Sequence, residues 1–262
     1  MIACRSGKSS ATDRAVTPSQ KLHQLNFPGS HEHTVFTPFT SPTATMKLSL
    51  LLVGTLALHS TLNADDFQPQ LFRSIELVYE DDFTRGPLST DHWQVRQGST
   101  WEIKDGVLIG SPSPKDYQDK KVAEGDPAHA GFKPVIWLEK VPEDLVVRFR
   151  ARFDAQDYHP RFPLIDIGHH VNTLHFAADV TTLTLKKNKK TIQTRDVLFP
   201  LNEWVDVTIE LKQGSMLLKL NDQQVVFSDP LIDMIDQQQI DFKGVDHGGI
   251  RIDQIKVFRG LP

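Results

Sequence analysis

The chain has a single cysteine, Cys4, close to its start. That scarcity excludes a disulfide scaffold and a zinc site built on paired thiolates. A membrane-spanning helix needs about 20 consecutive apolar residues. The longest apolar run here, Leu48 to Leu58, is about 11 residues and is broken by Ser49, Gly54 and Thr55. No long stretch carries apolar residues at helical spacing, so packed helices cannot supply the core. No fixed-period repeat is present, which argues against a propeller. A Gly-x-Ser-x-Gly elbow, a P-loop and a dinucleotide fingerprint are all missing, and with them the enzyme classes they mark.

The short apolar run has its own meaning. Met46-Lys47 precedes it and Leu62-Asn63-Ala64 follows it. Charged, apolar and small-residue segments in that order are the pattern of a cleavable secretory signal, here 46–64. Residues 1–45 are rich in Ser, Thr, Pro and His without apolar periodicity. They read as a disordered leader, or as a start placed too far upstream with translation beginning at Met46. Cleavage after Ala64 removes five Lys/Arg and two Asp/Glu, taking the formal charge from −4 to −7. An acidic mature chain argues against nucleic acid as a partner. The expectation is a secreted protein, periplasmic or extracellular, with no transmembrane span in the mature chain. A linker covers 65–74 and one domain covers 75–262.

Within that domain the dominant period is two. Leu145, Val147, Phe149, Ala151 and Phe153 alternate with Val146, Arg148, Arg150 and Arg152. Val205, Val207, Ile209 and Leu211 alternate in the same way with Asp206, Thr208, Glu210 and Lys212. Such segments are strands with one face in a core and one in water. Further strands are expected at 75–79, 93–97, 100–104, 106–110, 134–139, 164–170, 173–178, 181–187, 190–195, 215–220, 223–227 and 249–258. Lys104-Asp105-Gly106 and Lys212-Gln213-Gly214 are hairpin signals. The expected fold class is all-β: a two-sheet antiparallel β-sandwich of the concanavalin-like jelly-roll kind. Residues 231–238 suit one short helical turn. Segments 111–132 and 154–163 read as long loops, which in compact domains often carry function.

Three segments in order resemble a known family. They are Glu80-Asp81-Asp82-Phe83 with Trp93 and Trp101-Glu102-Ile103-Lys104-Asp105-Gly106-Val107-Leu108; then Asp144 to Phe153; then Asn202-Glu203-Trp204-Val205-Asp206-Val207-Thr208-Ile209 with Leu218 to Gln223. Together they resemble the concanavalin-like bacterial domains, most closely the 3-keto-disaccharide hydrolase domain family, over roughly 75–259. Where that family carries an Asn-Ser-Gly-Ile-like stretch, this chain reads Phe162 to His170. The resemblance implies a carbohydrate or oxidised sugar as partner and no cofactor. A laminarinase-like Glu-x-Asp-x-x-Glu strand, which would supply a carboxylate pair, is absent.

Alternation also selects a polar face. Arg148, Arg150 and Arg152 oppose the apolar face of their strand. Asp166 and His170 oppose Ile165 and Ile167, and His175 opposes Leu174 and Phe176. If these strands are neighbours, all six side chains share one face, and a slip of one residue near Gly168 would exchange His169 for His170. The resemblance makes this face catalytic: Asp166 or His170 removes a proton, an arginine stabilises the enolate, and His175 serves as acid. Substrate contacts are assigned to Arg148, Arg150, Arg152, His129 and Trp101. Trp101 has a sandwich-edge core position as its alternative. A solvated arginine face is the simpler reading of the strand, and an Asp166–His170–His175 metal site stays open. Beside the hydrolase stand two other readings: a non-catalytic carbohydrate-binding or adhesion module of the laminin-G-like kind, and a structural envelope protein. Lys120, Glu124 and His129 in 111–132 are the next candidates for a site.

Overall fold

The structure, a computed structural model, describes residues 67–233 and 237–262. The chain divides after Leu58 into two units, and every described residue belongs to the second. The expected signal at 46–64, the leader at 1–45 and part of the 231–238 turn lie outside the described residues. Among the described residues no helix is long and apolar enough to cross a membrane.

The domain is a sandwich of two antiparallel sheets. Its strands are β1 (Ser74–Asp81), β2 (Trp93–Arg96), β3 (Thr100–Lys104), β4 (Val107–Ser111), β5 (Val135–Glu139), β6 (Leu145–Asp154), β7 (Leu164–Ile167), β8 (Asn172–Phe176), β9 (Thr181–Leu185), β10 (Lys190–Thr194), β11 (Val205–Lys212), β12 (Ser215–Leu220), β13 (Gln223–Ser228), β14 (Gln239–Lys243) and β15 (Gly249–Leu261). One sheet runs β13-β12-β11-β6-β15-β4-β3, with β1 also on β15; the other runs β10-β9-β8-β7-β14-β5-β2. Alternation in β6 and β11 behaves as its sequence dictates. Leu145, Val147, Phe149, Phe153, Val207, Ile209 and Leu211 all enter one buried cluster with Ile165, Leu174, Phe176 and Phe242 from the facing sheet.

Three local elements differ from expectation. The strand at 164–170 ends at Ile167, because Gly168, His169 and His170 all take positive φ, at 78°, 50° and 75°. Left-handed backbone cannot continue a pleated strand. The 111–132 segment holds a helix, α1 (Lys115–Ala123), that buries no residue. It is held by the charged pairs Lys115–Asp119 and Lys121–Glu124, at 2.7 and 2.9 Å, rather than by an apolar stripe. That is why a search for apolar periodicity passes over it. Strand β14 is also new. Its five residues offer only Ile240 and Phe242 as an alternating apolar signal, yet it is an interior strand of its sheet, between β7 and β5.

Phe149 is fully buried and meets Phe242 edge-on across the two sheets at 5.2 Å between ring centroids. Phe149→Ala is expected to cost about 3–5 kcal/mol of stability, measured by urea unfolding.

Candidate functional site

Sheet order separates what alternation alone had joined. β6 lies in the first sheet and β7 in the second. Arg148, Arg150 and Arg152 therefore face outward on one side of the sandwich, and Asp166 and His175 on the other. The arginines have local partners of their own. Arg150 Nε lies 3.1 Å from Asp206, and Arg152 Nε lies 2.5 Å from Asp154. One face carrying all six residues does not form. The error lies in adjacency: β6 and β7 follow each other in the chain but cross between sheets.

Trp101 packs against the edge of the core, its ring lying on Gly110, where an added Cβ would come within 2.5 Å of it; its indole nitrogen donates to Ser99 Oγ at 3.0 Å. It is a packing residue rather than an open platform. His129 sits in a 3-10 turn, Pro127–His129, exposed and paired to Asp126 at 2.7 Å.

The second sheet carries a polar cluster on its outer face, centred on the strand that the sequence reading missed. β14 pairs with β7 and β5 so that Asp241 stands opposite both Asp166 and Trp137, and Asp166 in turn stands opposite Thr173 of β8. Asp166 and Asp241 are each 0% exposed, and Gln239 and Lys243 are buried beside them. Two carboxylates directly across neighbouring strands repel. Lys243 Nζ answers both, at 3.2 Å from Asp166 Oδ2 and 3.1 Å from Asp241 Oδ2.

The remaining carboxylate lone pairs hold two histidines. His170 Nδ1 lies 2.8 Å from Asp166 Oδ2, and His169 Nδ1 lies 3.0 Å from Asp241 Oδ2. The His170 backbone N–H and the Thr173 hydroxyl donate to Asp166 Oδ1 at 2.7 and 3.1 Å. Gln239 Nε2 donates to Asp241 Oδ1 at 2.6 Å. The imidazoles sit side by side, 4.5 Å between centroids, and His169 also meets the Trp137 ring edge-on at 4.9 Å. The Arg96 guanidinium lies over the same tryptophan at 4.0 Å.

Each carboxylate fixes its ring through Nδ1, leaving Nε2 as the basic nitrogen of the neutral imidazole. The carboxylates are sealed while the His169 and His170 side chains keep 29% and 56% exposure. Two oriented imidazoles can take a proton and give one to the same small molecule. Their backbone supports that reading, since His169 and His170 are two successive non-glycine residues in the left-handed region, a local strain of the kind found at functional sites.

His170 thus meets Asp166, but through a turn rather than along a strand. His169, which a slip at Gly168 would have brought in, is present together with it. His175 does not join them. It sits opposite Leu164 and Thr182 and bonds the backbone of His159, with Nε2 buried and unpartnered. Burial pushes its pKa down, the His159 backbone opposes that, and the charge of His159 adds to it. Among the described residues no three His, Cys, Asp or Glu side chains are arranged to hold a metal ion. Asp241, Lys243 and Gln239 were missed because β14 was missed, whereas His169 entered only as the alternative to His170 after a slip at Gly168. The signal that could have found them is the polar-apolar alternation of Gln239-Ile240-Asp241-Phe242-Lys243.

No protein-family model matches the chain, and no curated protein sequence matches it. Solved structures do. It has the two-sheet jelly-roll fold. One similar structure is SCLam, a non-specific endo-β-1,3(4)-glucanase from family GH16, 13% identical, covering 74% of this chain and 94% of that one, with a TM-score of 0.51. Another is the catalytic domain of an endo-1,3-β-glucanase (laminarinase) from Thermotoga petrophila RKU-1, 10% identical over 72% and 99%, with a TM-score of 0.50. A third is the GlcNAcα1-4Gal releasing endo-β-galactosidase from Clostridium perfringens, 10% identical over 75% and 66%, with a TM-score of 0.53. At such identities the likeness concerns the fold.

Burial works to raise the Asp166 pKa, but the hydrogen bond from His170 and the charge of Lys243 carry it below the ordinary carboxylate value. A depressed folded-state pKa gives stability that is present above the unfolded value of about 3.9 and is lost as pH falls toward the folded one. Lys243→Met removes the cation and raises that folded pKa. The variant should lose about 3–5 kcal/mol at neutral pH, and its acid unfolding midpoint should move to higher pH, both followed by far-ultraviolet circular dichroism.

Proposed function

We propose that the protein is a secreted carbohydrate-active hydrolase that works by acid–base chemistry at His169 and His170, on glycosides oxidised at C3. The observation that carries this reading is the pair of adjacent imidazoles, each held through Nδ1 by its own buried carboxylate. The jelly-roll fold and the sequence resemblance to 3-keto-disaccharide hydrolases support the substrate class.

A ketone at C3 acidifies the hydrogen on C2. The His170 Nε2 removes that proton, and the electron pair moves toward the C3 oxygen as an enolate. Arg96, held over the tryptophan that His169 also touches, supplies positive charge on this face, a role the sequence reading gave to an arginine of β6. The enolate re-forms the ketone as the C1–O bond breaks, and His169, as imidazolium, protonates the departing oxygen. Water then adds across the C1–C2 double bond, so the net reaction is hydrolysis. This route needs no carboxylate as nucleophile. The site's two carboxylates are engaged by Lys243, Gln239, Thr173 and the histidines, which suits them to positioning.

The exposed side of the Trp137–Arg96 pair favours a second reading, a sugar-binding module without turnover. Initial rates on 3-keto-glucosides and their unoxidised parents separate the two. The oxidised substrates should turn over, with His169→Ala and His170→Ala each lowering kcat by about 10²–10⁴-fold and Arg150→Ala unchanged. Binding without turnover selects the module. Turnover that both histidine variants retain in full contradicts the site.

A further inference from the structure

The face that carries the histidines continues past them to the edge of its sheet. There β2 pairs with β5, placing Gln94 opposite Trp137, and two residues further along β5 Glu139 stands opposite Gln239 of β14. Strand alternation puts Gln94, Trp137 and Glu139 on the same side as Asp166 and Asp241. Gln239 joins this corner to the site, because its Nε2 donates to Asp241 Oδ1 at 2.6 Å and lies 3.4 Å from His169 Nδ1.

Among the described residues, the strands put three acids on this face, and only Glu139 keeps part of its surface in solvent; Asp166 and Asp241 are sealed. Gln94 Nε2 donates to Glu139 Oε2 at 2.7 Å. A carboxylate only accepts, so it fixes the amide with its nitrogen inward and its oxygen outward. Both side chains are partly exposed, and Gln94 Oε1 and Glu139 Oε1 accept no hydrogen bond from the described residues and are open to solvent. Two acceptors on neighbouring strands are thus locked side by side with nothing bound to them. Such a pair suits two hydroxyl donors on adjacent carbons, and a few fixed polar groups of this kind orient a ligand in its site.

The histidines give this corner a direction. His170 is held by Asp166 of β7, whereas His169 is held by Asp241 of β14 and meets the Trp137 ring of β5. The group protonated by His169 therefore departs on the β5 side. Arg96 stands opposite Val135, on the far side of Trp137 from Glu139, so the ketone oxygen and the leaving group have separate ends of β5. We propose that Gln94 and Glu139 form the subsite for the leaving group, and that this group is a sugar whose two vicinal hydroxyls donate to the two open oxygens. The proposal rests on the hydrolase reading above. A hexopyranoside oxidised at C3 has no such pair on its own ring, because the ketone separates the C2 and C4 hydroxyls. Glu139 then determines specificity without touching the reacting atoms.

The test compares kcat/KM for two 3-keto-glucosides, one with glucose and one with methanol as leaving group. Glu139→Leu should cost the glucose-leaving substrate about tenfold or more beyond any loss on the methyl glycoside, since the lost hydrogen bond is to a charged acceptor. Gln94→Leu should act in the same direction with smaller effect. Glu139→Gln keeps the shape without the charge, should show the same selectivity to a lesser degree, and serves where the leucine variant does not fold. Equal losses on both substrates, or none on either, overturn the subsite. Saturation-transfer NMR with glucose needs no turnover: wild type should show transfer that Glu139→Leu loses and His170→Ala keeps. Transfer that Glu139→Leu retains in full, or no transfer to wild type, also overturns it. If neither 3-keto-glucoside is hydrolysed, the catalytic reading fails and the glucose signal alone decides this one.

Discussion

The lysine ammonium between two buried carboxylates is the constraint from which the proposed site follows. Asp166 and Asp241 face each other on neighbouring strands with no exposure to solvent, an arrangement that costs heavily in desolvation and in repulsion. Lys243 bonds both, and the pair tolerates burial only because that cation and several N–H and O–H donors occupy its lone pairs. Once the carboxylates are fixed, the histidines are fixed with them. A left-handed turn at Gly168–His170 brings the imidazoles back over β7, which the chain has just left, and over its neighbour β14. Removing the lysine would unsettle both rings together, since each is held by one of the two carboxylates it bridges.

The same geometry explains the division of exposure. Carboxylates at zero exposure below and imidazoles at 29% and 56% above place the charge in the interior and the proton-transfer atoms at the surface. In a low-dielectric setting the orienting hydrogen bonds are stronger than in water, and the rings have little freedom to turn away. The jelly-roll sandwich supplies a rigid sheet on which such a constellation can stand, and solved structures with this fold show only that the platform is shared.

How much of this the sequence carried can be traced residue by residue. Alternation in Leu145–Phe153 and Val205–Leu211 fixed the core face, because period two is a local property and both segments are long enough to display it. Asp166 and His170 were chosen for pointing away from that core, and they do meet, though His170 reaches Asp166 by a turn. What alternation cannot carry is which strand lies beside which. Arg148, Arg150 and Arg152 obey the same local rule and end on the opposite sheet, because the β6–β7 connection crosses the sandwich. His175 has the right parity but bonds His159. The interior strand Gln239–Lys243 escaped notice because three of its five residues are polar, and those three are polar for the site they build. Local patterning fails there for a physical reason: a buried polar cluster breaks the rule that buried strands are apolar.

The central claim is that each buried aspartate holds its histidine through Nδ1 and leaves Nε2 for chemistry. Nitrogen-15 shifts of the two imidazoles, measured with both rings neutral, report this directly. The account predicts the Nδ1–H form for His169 and for His170, each with an unprotonated Nε2, and loss of that preference in Asp241→Asn and Asp166→Asn respectively. The Nε2–H form at both rings, or shifts that neither substitution alters, would contradict it.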